Sequence, residues 1–598
     1  MQDRVQVSAA RLSALRSIIR AQGLAGFIVP KTDAFQNESV PPDSDRLAWL
    51  TGFTGSAGMA VILDDRAALF VDSRYTLQAK AQADALLYTV ELYPKTKVGA
   101  YLAAHAPAGA LIGYDPALQT LAGFKALNEE AKKAGFELKP VVSNPIDALW
   151  DDQPLDEHFP IVSHSEDYAG ESARSKIERV QKALRDKKAD GLFVSAPDSV
   201  AWLLNIRGQD IAHTPVALVR VYLPSAGWPV LFVFPGHITP QMQGFLETIV
   251  EICDLAALGD GLQEKIGKGQ KIIADPAHTT LAIADALKKA GATIIEAPDP
   301  CALFKARKNA VELQGARNAH LRDGAALCRF LAWLDAEAPS GTLTEIAASD
   351  RLEAFRRDTG LLEDLSFDTI SGAGSNGAIV HYKATPESNK ALEPGSLYLV
   401  DSGGQYRDGT TDVTRTVAIG APTEEMRRHY TLVLKGHIGI AAARFPAGTR
   451  GVDIDAFARR ALWEAGLDYG HGTGHGVGSF LSVHEDPPRI SRAHTGELEP
   501  GMVVSNEPGY YREGHYGIRL ENLIAVTEPA PIEGGEIDML GFETLTLAPF
   551  DRRLIVPELL TAAERDWLNA YHARVRTEVS PLLEGDAAKW LEDATASI

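Results

Sequence analysis

The chain has 598 residues, 45% hydrophobic and 23% charged, which is enough for about three or four folded domains and too apolar for bulk disorder. Asp and Glu number 79 against 59 Lys and Arg, a net charge of -20 with no long basic run, so a nucleic-acid backbone is excluded as a natural partner. The three cysteines, Cys253, Cys301 and Cys328, stand far apart without a CxxC pair, which excludes a disulfide framework or thiolate zinc site and fits a reducing cytoplasm.

Residues 1–20 alternate charged and apolar residues at helical spacing and lack the unbroken apolar core of a signal peptide. Nowhere does an uncharged apolar run approach about 18 residues, so no membrane span is expected. Residues 11–30, RLSALRSIIRAQGLAGFIVP, predict an amphipathic helix ending near Gly23 and an apolar strand from about Gly26. Residues 179–195, RVQKALRDKKADGLFVS, repeat that helix and strand. Each unit is followed by an AWL run, at 48–50 and 201–203, and by apolar strand runs, GMAVILDDRAALFVD in the first and VALVRVYL with VLFVF in the second. The pattern predicts an internal duplication of one α/β domain; the alternative is two unrelated units alike by chance. Between them, HSEDYAGESARS at 164–175 is polar and small, the composition of a linker. A second boundary falls at APDPCALFKARKN, where two prolines precede a helical pattern from about 311 to 335. From about Pro549 the chain carries a last helical pattern with Trp567, Leu568 and Tyr571 on one side, predicting an extension packed on the preceding domain. The expected domains are 1–165, 166–305 and 306–598, with the C-terminal extension from about 549.

Familiar catalytic signatures are missing: the sequence has no GxxxxGK[ST], no GxSxG and no HExxH, and the alternate glycines of GHGTGHGVG do not match a dinucleotide fingerprint. His471 and His475 are four apart, but Gly472, Gly474, Gly476 and Gly478 around them predict a loop, not a helical zinc pair. Carboxylates and histidines at strand ends remain. SLYLVDSGGQYRDGTTDVTRTV predicts two β-rich runs around turn signals at Gly403-Gly404 and Asp408-Gly409, with Asp401 closing one strand and Asp412 in the next. In MVVSNEPGYYREGHYGIRLENLIAV, Glu507 and Glu521 lie symmetrically about Gly514, so a hairpin turning near Glu513-Gly514 sets them opposite each other. Arg519 and Glu521 then share a face, while Ile518 and Leu520 point the other way. Carboxylates inside apolar strands are costly and repel one another, and divalent cations relieve both problems. Four carboxylates and a histidine form a hard, oxygen-rich set suited to manganese, cobalt or zinc, and shared carboxylates can bridge two ions about 3.5 to 4 Å apart. On spacing alone, solvated or capping carboxylates remain an equal alternative.

The motifs VDSGGQYRDGTTDVTRT, GHGTGHGVGSFLSVHE, NEPGYY and GIRLENL resemble those of dinuclear-metal peptidases of the pita-bread fold, most closely the long, three-domain aminopeptidase P (Xaa-Pro aminopeptidase) family. The likeness spans nearly the whole chain. It implies an α/β and α+β architecture, with two duplicated creatinase-type α/β domains followed by a pita-bread catalytic domain. By the same resemblance the metal ligands fall on Asp401, Asp412, His475, Glu507 and Glu521. Asp401 would hold one ion, His475 and Glu507 the other, and Asp412 and Glu521 would bridge them. His381 in IVHYKAT and His484 in SVHEDPP match catalytic histidines that also face substrate, and His471 matches one lining the proline side of the pocket. Glu507 is the candidate acid/base, and Arg519 matches an arginine that orients a ligand carboxylate. The resemblance further implies two divalent ions, manganese first with zinc or cobalt as alternatives, peptide substrates beginning Xaa-Pro, and a homodimer in the cytoplasm. Prolidase shares the five ligands but takes dipeptides only, and the duplicated N-terminal domain and DWLNAYH argue against it. Creatinase lacks the complete ligand set. A non-catalytic peptidase-like binding module would have lost metal carboxylates and carried an acidic tail, and neither holds here.

Overall fold

The computed structural model describes residues 2–598, with side chains from Gln6 onward. It divides into two compact units, one of residues up to 163 with 171–301 and the other of 164–170 with 302–598.

In the first unit the opening helix, Gln2–Ala21, starts earlier than the predicted pattern and buries Leu12, Leu15 and Ile19. Gly23, at φ 69, turns the chain into the strand Gly26–Pro30, where Phe27 and Val29 face one apolar cluster and Ile28 the other. Burial on both faces explains why this strand reads as an unbroken apolar run. It lies inside a six-stranded sheet, antiparallel to Met59–Leu63 and parallel to Leu111–Tyr114. The second copy repeats the arrangement: Gly191–Val194 runs antiparallel to Arg220–Pro224 and parallel to Lys271–Ala274, and the six strands follow the same order. Both AWL runs lie in helices, Arg46–Thr51 and Pro197–Leu204. The duplication read from residues 11–30 and 179–195 is thus a duplication of topology.

The expected linker at 164–175 is ordered secondary structure instead. Ser165 caps a short helix, Glu166–Ala169, and Ser172 caps Ala173–Asp186. Residues 164–170 fold with the second unit, where Asn309 Nδ2 donates to the Ala169 carbonyl at 2.8 Å. Asn309 also starts the long helix Ala310–Glu337 through a capping box with Glu312.

The second unit sets a three-stranded antiparallel sheet, Ile370–Ala373, Ser396–Ser402 and Val413–Ile419, and a five-stranded sheet that includes Gly474–Gly476, Val503–Asn506 and Asn522–Val526 among helices. The helix Ala562–Val579, which the helix Gly585–Ala594 follows, buries Leu568, Tyr571 and Val575 in the same core cluster as Tyr430, Leu434 and Leu520, with Trp567 at its margin. The extension is therefore part of the second unit's core. Among the described residues, no helix is long and apolar enough to cross a membrane.

Candidate metal centre

Two hairpins and one bulged strand build the site. Asp401, next to last in Ser396–Ser402, pairs with Thr414 of the neighbouring strand. Asp412 lies one residue ahead of the strand Val413–Ile419, not within it as the sequence suggested. The intervening chain forms a small hairpin of its own, Gly404–Tyr406 with Gly409–Thr410, which belongs to a different sheet. Gly403 makes this departure possible, because a Cβ there would lie 1.9 Å from the Thr411 carbonyl oxygen.

The second hairpin turns at Gly514, at φ 75, as predicted. Gly509–Arg512 pairs with Tyr516–Arg519, and Val503–Asn506 with Asn522–Val526, in one continuous register. Glu507 and Glu521 fall opposite each other in the gap between the two ladders. Arg519 and Glu521 are each 1% exposed, while Ile518 and Leu520 pack into the apolar cluster beneath. The Arg519 guanidinium donates to Asp401 Oδ2 at 2.6 Å, Thr414 Oγ1 at 3.0 Å and the Tyr511 hydroxyl at 2.8 Å. Thr414 Oγ1 in turn donates to Glu521 Oε2 at 2.7 Å.

His475 occupies the strand Gly474–Gly476, whose register shifts after it. Ser505 Oγ accepts its backbone N–H at 2.9 Å, and the side-chain Nδ1 lies 2.9 Å from the Gly476 carbonyl. That contact assigns the proton to Nδ1, so that Nε2 carries the lone pair a metal ligand needs. Nε2 is 3.5 Å from Asp412 Oδ2 and 3.6 Å from Glu507 Oε1. Asp412, His475 and Glu521 each bring a ligand atom to within 4.8 Å of the others. Around them, the His484 ring lies 4.3 Å from that of His475, and His471 Nε2 lies 2.8 Å from the Tyr511 hydroxyl, with its Nδ1 4.0 Å from Glu507. His381 is half-buried in the turn just after Val380, whose carbonyl accepts from Arg519 at 3.3 Å.

Electrostatics and hydrogen bonding both ask for cations here. Burial, then Asp401, pushes the Asp412 carboxyl well above its ordinary range; burial and Glu521 do the same to Glu507, and burial and Asp412 to Glu521. Asp401 Oδ1 and Asp412 Oδ1 are buried without a hydrogen-bond partner. Orphaned carboxylate oxygens beside an imidazole nitrogen form a hard donor set that fits divalent metal ions. The supporting residues Tyr511, Thr414 and Ser505 escaped the sequence reading. Tyr511 shares the NEPGYY motif with Glu507, and Thr414 shares DVTRT with Asp412, so motif membership was the signal available.

Comparisons with known proteins agree with this architecture. Residues 314–528 match metallopeptidase family M24, 11–149 and 152–312 each match a creatinase/prolidase N-terminal domain, and 538–598 match the C-terminal region of peptidase M24. The chain is 41% identical over 597 residues to a probable Xaa-Pro aminopeptidase P of Laccaria bicolor, covering 97% of this chain and 92% of that one. A relative of the same name from Aspergillus niger is 40% identical, with 98% of each chain covered. Among solved structures, the X-prolyl aminopeptidase of Caenorhabditis elegans, described as a cytosolic enzyme with a di-nuclear active site, superimposes with a TM-score of 0.94 at 34% identity over 99% of this chain and 100% of that one. A prolidase from Thermococcus sibiricus, at 22% identity, TM-score 0.50 and 64% of this chain, shares the fold.

Proposed function

Because the chain belongs to the Xaa-Pro aminopeptidase P family of M24 metallopeptidases, we propose that its carboxylate centre releases the N-terminal residue from peptides with proline in second position. The observation that carries this reading is the convergence of Asp412, His475 and Glu521, with Glu507 and Asp401 beside them, inside a chain similar to those enzymes over its whole length. Asp401, Asp412, His475, Glu507 and Glu521 would hold two divalent ions, with manganese the metal we favour. Such ions supply the Lewis acidity that polarises a peptide carbonyl and makes water nucleophilic near neutral pH.

The chain's own groups do the rest. Glu507, whose carboxylate lies 3.6 Å from His475 Nε2 within the site, is the group we assign to take the proton of the attacking water and pass it to the departing prolyl nitrogen. That nitrogen belongs to a tertiary amide without an N–H, so it must gain a proton to leave. His484 and His381 would donate hydrogen bonds to the carbonyl oxygen as charge develops. His471, tied to Tyr511, lines the pocket, and Arg519 fixes the orientation of Asp401. Domains at 1–165, 166–305 and 306–598, with an extension from about 549, complete the reading, as do a cytoplasmic location and a homodimer. A six-stranded sheet in each N-terminal half and the cytosolic C. elegans relative support the division and the location.

The test is a peptide panel on manganese-loaded, full-length protein: an Xaa-Pro dipeptide, Arg-Pro-Pro, Arg-Ala-Ala and a nonapeptide with proline second. Free arginine is expected from Arg-Pro-Pro, with Arg-Ala-Ala slower by about 10-fold to 200-fold because the ring's burial is lost. Cleavage confined to the dipeptide would convert the assignment to prolidase. No cleavage at all would favour a binding module.

A further inference from the structure

The helix Ala562–Val579 has no part in the chemistry above, yet its contacts converge on a buried cation behind the metal centre. Arg415, in the strand Val413–Ile419, is 1% exposed. Its Nη1 donates to the carbonyls of Glu521 at 2.6 Å and Thr414 at 2.9 Å. Nε and Nη2 donate to the carbonyls of Pro549 at 3.1 Å and Ala548 at 2.7 Å, and Nη2 also to Asn522 Oδ1 at 2.8 Å and the Tyr571 hydroxyl at 3.2 Å. All of these acceptors are neutral; among the described residues no carboxylate pairs with this guanidinium. Tyr571, from the helix Ala562–Val579, anchors its own hydroxyl on the Ala548 carbonyl at 2.8 Å.

A buried guanidinium without a counter-charge is expensive to keep, and an apolar side chain would fill the same space at lower cost. What the guanidinium adds is a rigid planar fork of five donors that fixes several backbone segments at once. Two of those segments are the ones that meet at the site. The Glu521 N–H donates to the Thr414 carbonyl at 3.2 Å, and Thr414 Oγ1 donates to the Glu521 carboxylate at 2.7 Å. Arg415 then holds both carbonyls of the same two residues from behind.

We propose that Arg415 and Tyr571 are positioning residues for the metal centre, with the helix Ala562–Val579 bracing the Arg415 guanidinium so that the backbone of Glu521 is fixed against the strand that follows Asp412. This gives the C-terminal region a task in the site rather than in the stability of the fold alone, and it rests on reading Glu521 and Asp412 as ligands.

The test uses full-length protein stripped of metal by a chelator, as wild type, Tyr571→Phe and Arg415→Lys; lysine keeps the charge but loses the fork. Each is titrated with Mn2+ by calorimetry, and hydrogen exchange is followed in residues 519–526. Both variants should bind at least one Mn2+ about 10-fold more weakly, the lower end for loss of a group supporting a ligand, and exchange faster at 519–526, with circular dichroism unchanged. Wild-type Mn2+ affinity in Tyr571→Phe overturns the proposal, and that variant decides alone if Arg415→Lys does not fold. Failure of the wild type to cleave peptides while binding Mn2+ overturns the functional reading and leaves this one to the titration. A wild-type chain that binds none of Mn2+, Co2+ and Zn2+ overturns both.

Discussion

Asp412 brings one oxygen to 3.5 Å from His475 and keeps the other buried without a protein partner, so its place in the structure makes sense only when a cation is supplied. Asp412→Asn should therefore lose at least one of two bound ions and nearly all activity. Its metal-free form should be no less stable than wild type, because removing the charge relieves the repulsion with Asp401. His484→Ala and His381→Ala make the contrast: both should retain two ions and lose about 10² to 10⁴ in turnover, the scale of a removed proton-transfer or oxyanion group. Elemental analysis beside steady-state kinetics separates the two classes. Two ions in active Asp412→Asn, or a lost ion in either histidine variant, would redraw the ligand set.

The long hairpin from 503 to 526 is the element on which the site depends most. Its inner strand lies so close to the segment Gly374–Ala378 that a Cβ at Gly517 would stand 1.7 Å from the Gly377 carbonyl oxygen. Gly517→Ala should cost about 1 to 3 kcal/mol by overpacking and push apart the hairpin and the turn carrying His381. Denaturant titration measures the cost, and wild-type stability would mean that the two segments separate freely. This hairpin was legible in the sequence because strand alternation and the symmetry of Glu507 and Glu521 about Gly514 both point to one register. The strand after Asp401 was less legible, since Gly403 lets the chain leave the sheet through a region whose Gly and Thr residues carry no periodic signal. The segment 164–175 misled for a different reason: serines and acidic residues mark helix N-caps as readily as linkers, and here Ser165 and Ser172 cap. Metal identity has no local signature, because manganese, cobalt and zinc all accept this donor set.

For the molecule as a whole, two histidines of the second unit tie stability to pH. His437 donates from Nδ1 to the Leu520 carbonyl at 3.1 Å and accepts from Asn522 at Nε2, while His572 Nε2 accepts the Phe550 N–H at 3.1 Å. Burial, with Arg415 adding to it, pulls both from an ordinary 6.5 down to about 3. Between those values the unfolded chain binds protons that the native one refuses, so stability falls as pH drops below about 6.5 and this contribution levels off near 3, at about 1.4 kcal/mol per pH unit for each group. His572→Gln keeps an acceptor for Phe550 and removes the titration. Urea midpoints across this range should show a shallower slope by that amount, and an unchanged slope would mean that His572 titrates normally.

The repeated sheet of the first unit also shows one packing solution used twice. Gly26 and Gly191 open the same inner strand in the two copies, each opposite a residue of the antiparallel neighbour and an isoleucine of the parallel one, Ile112 and Ile272. A tryptophan follows in each, and a cation from the preceding helix lies over it, Arg11 on Trp49 at 4.3 Å and Lys176 on Trp202 at 4.7 Å. Two sheets with the same strand order thus meet the same two packing problems, a close approach of neighbouring strands and an indole face needing cover, with the same kinds of residue, a glycine and a cation.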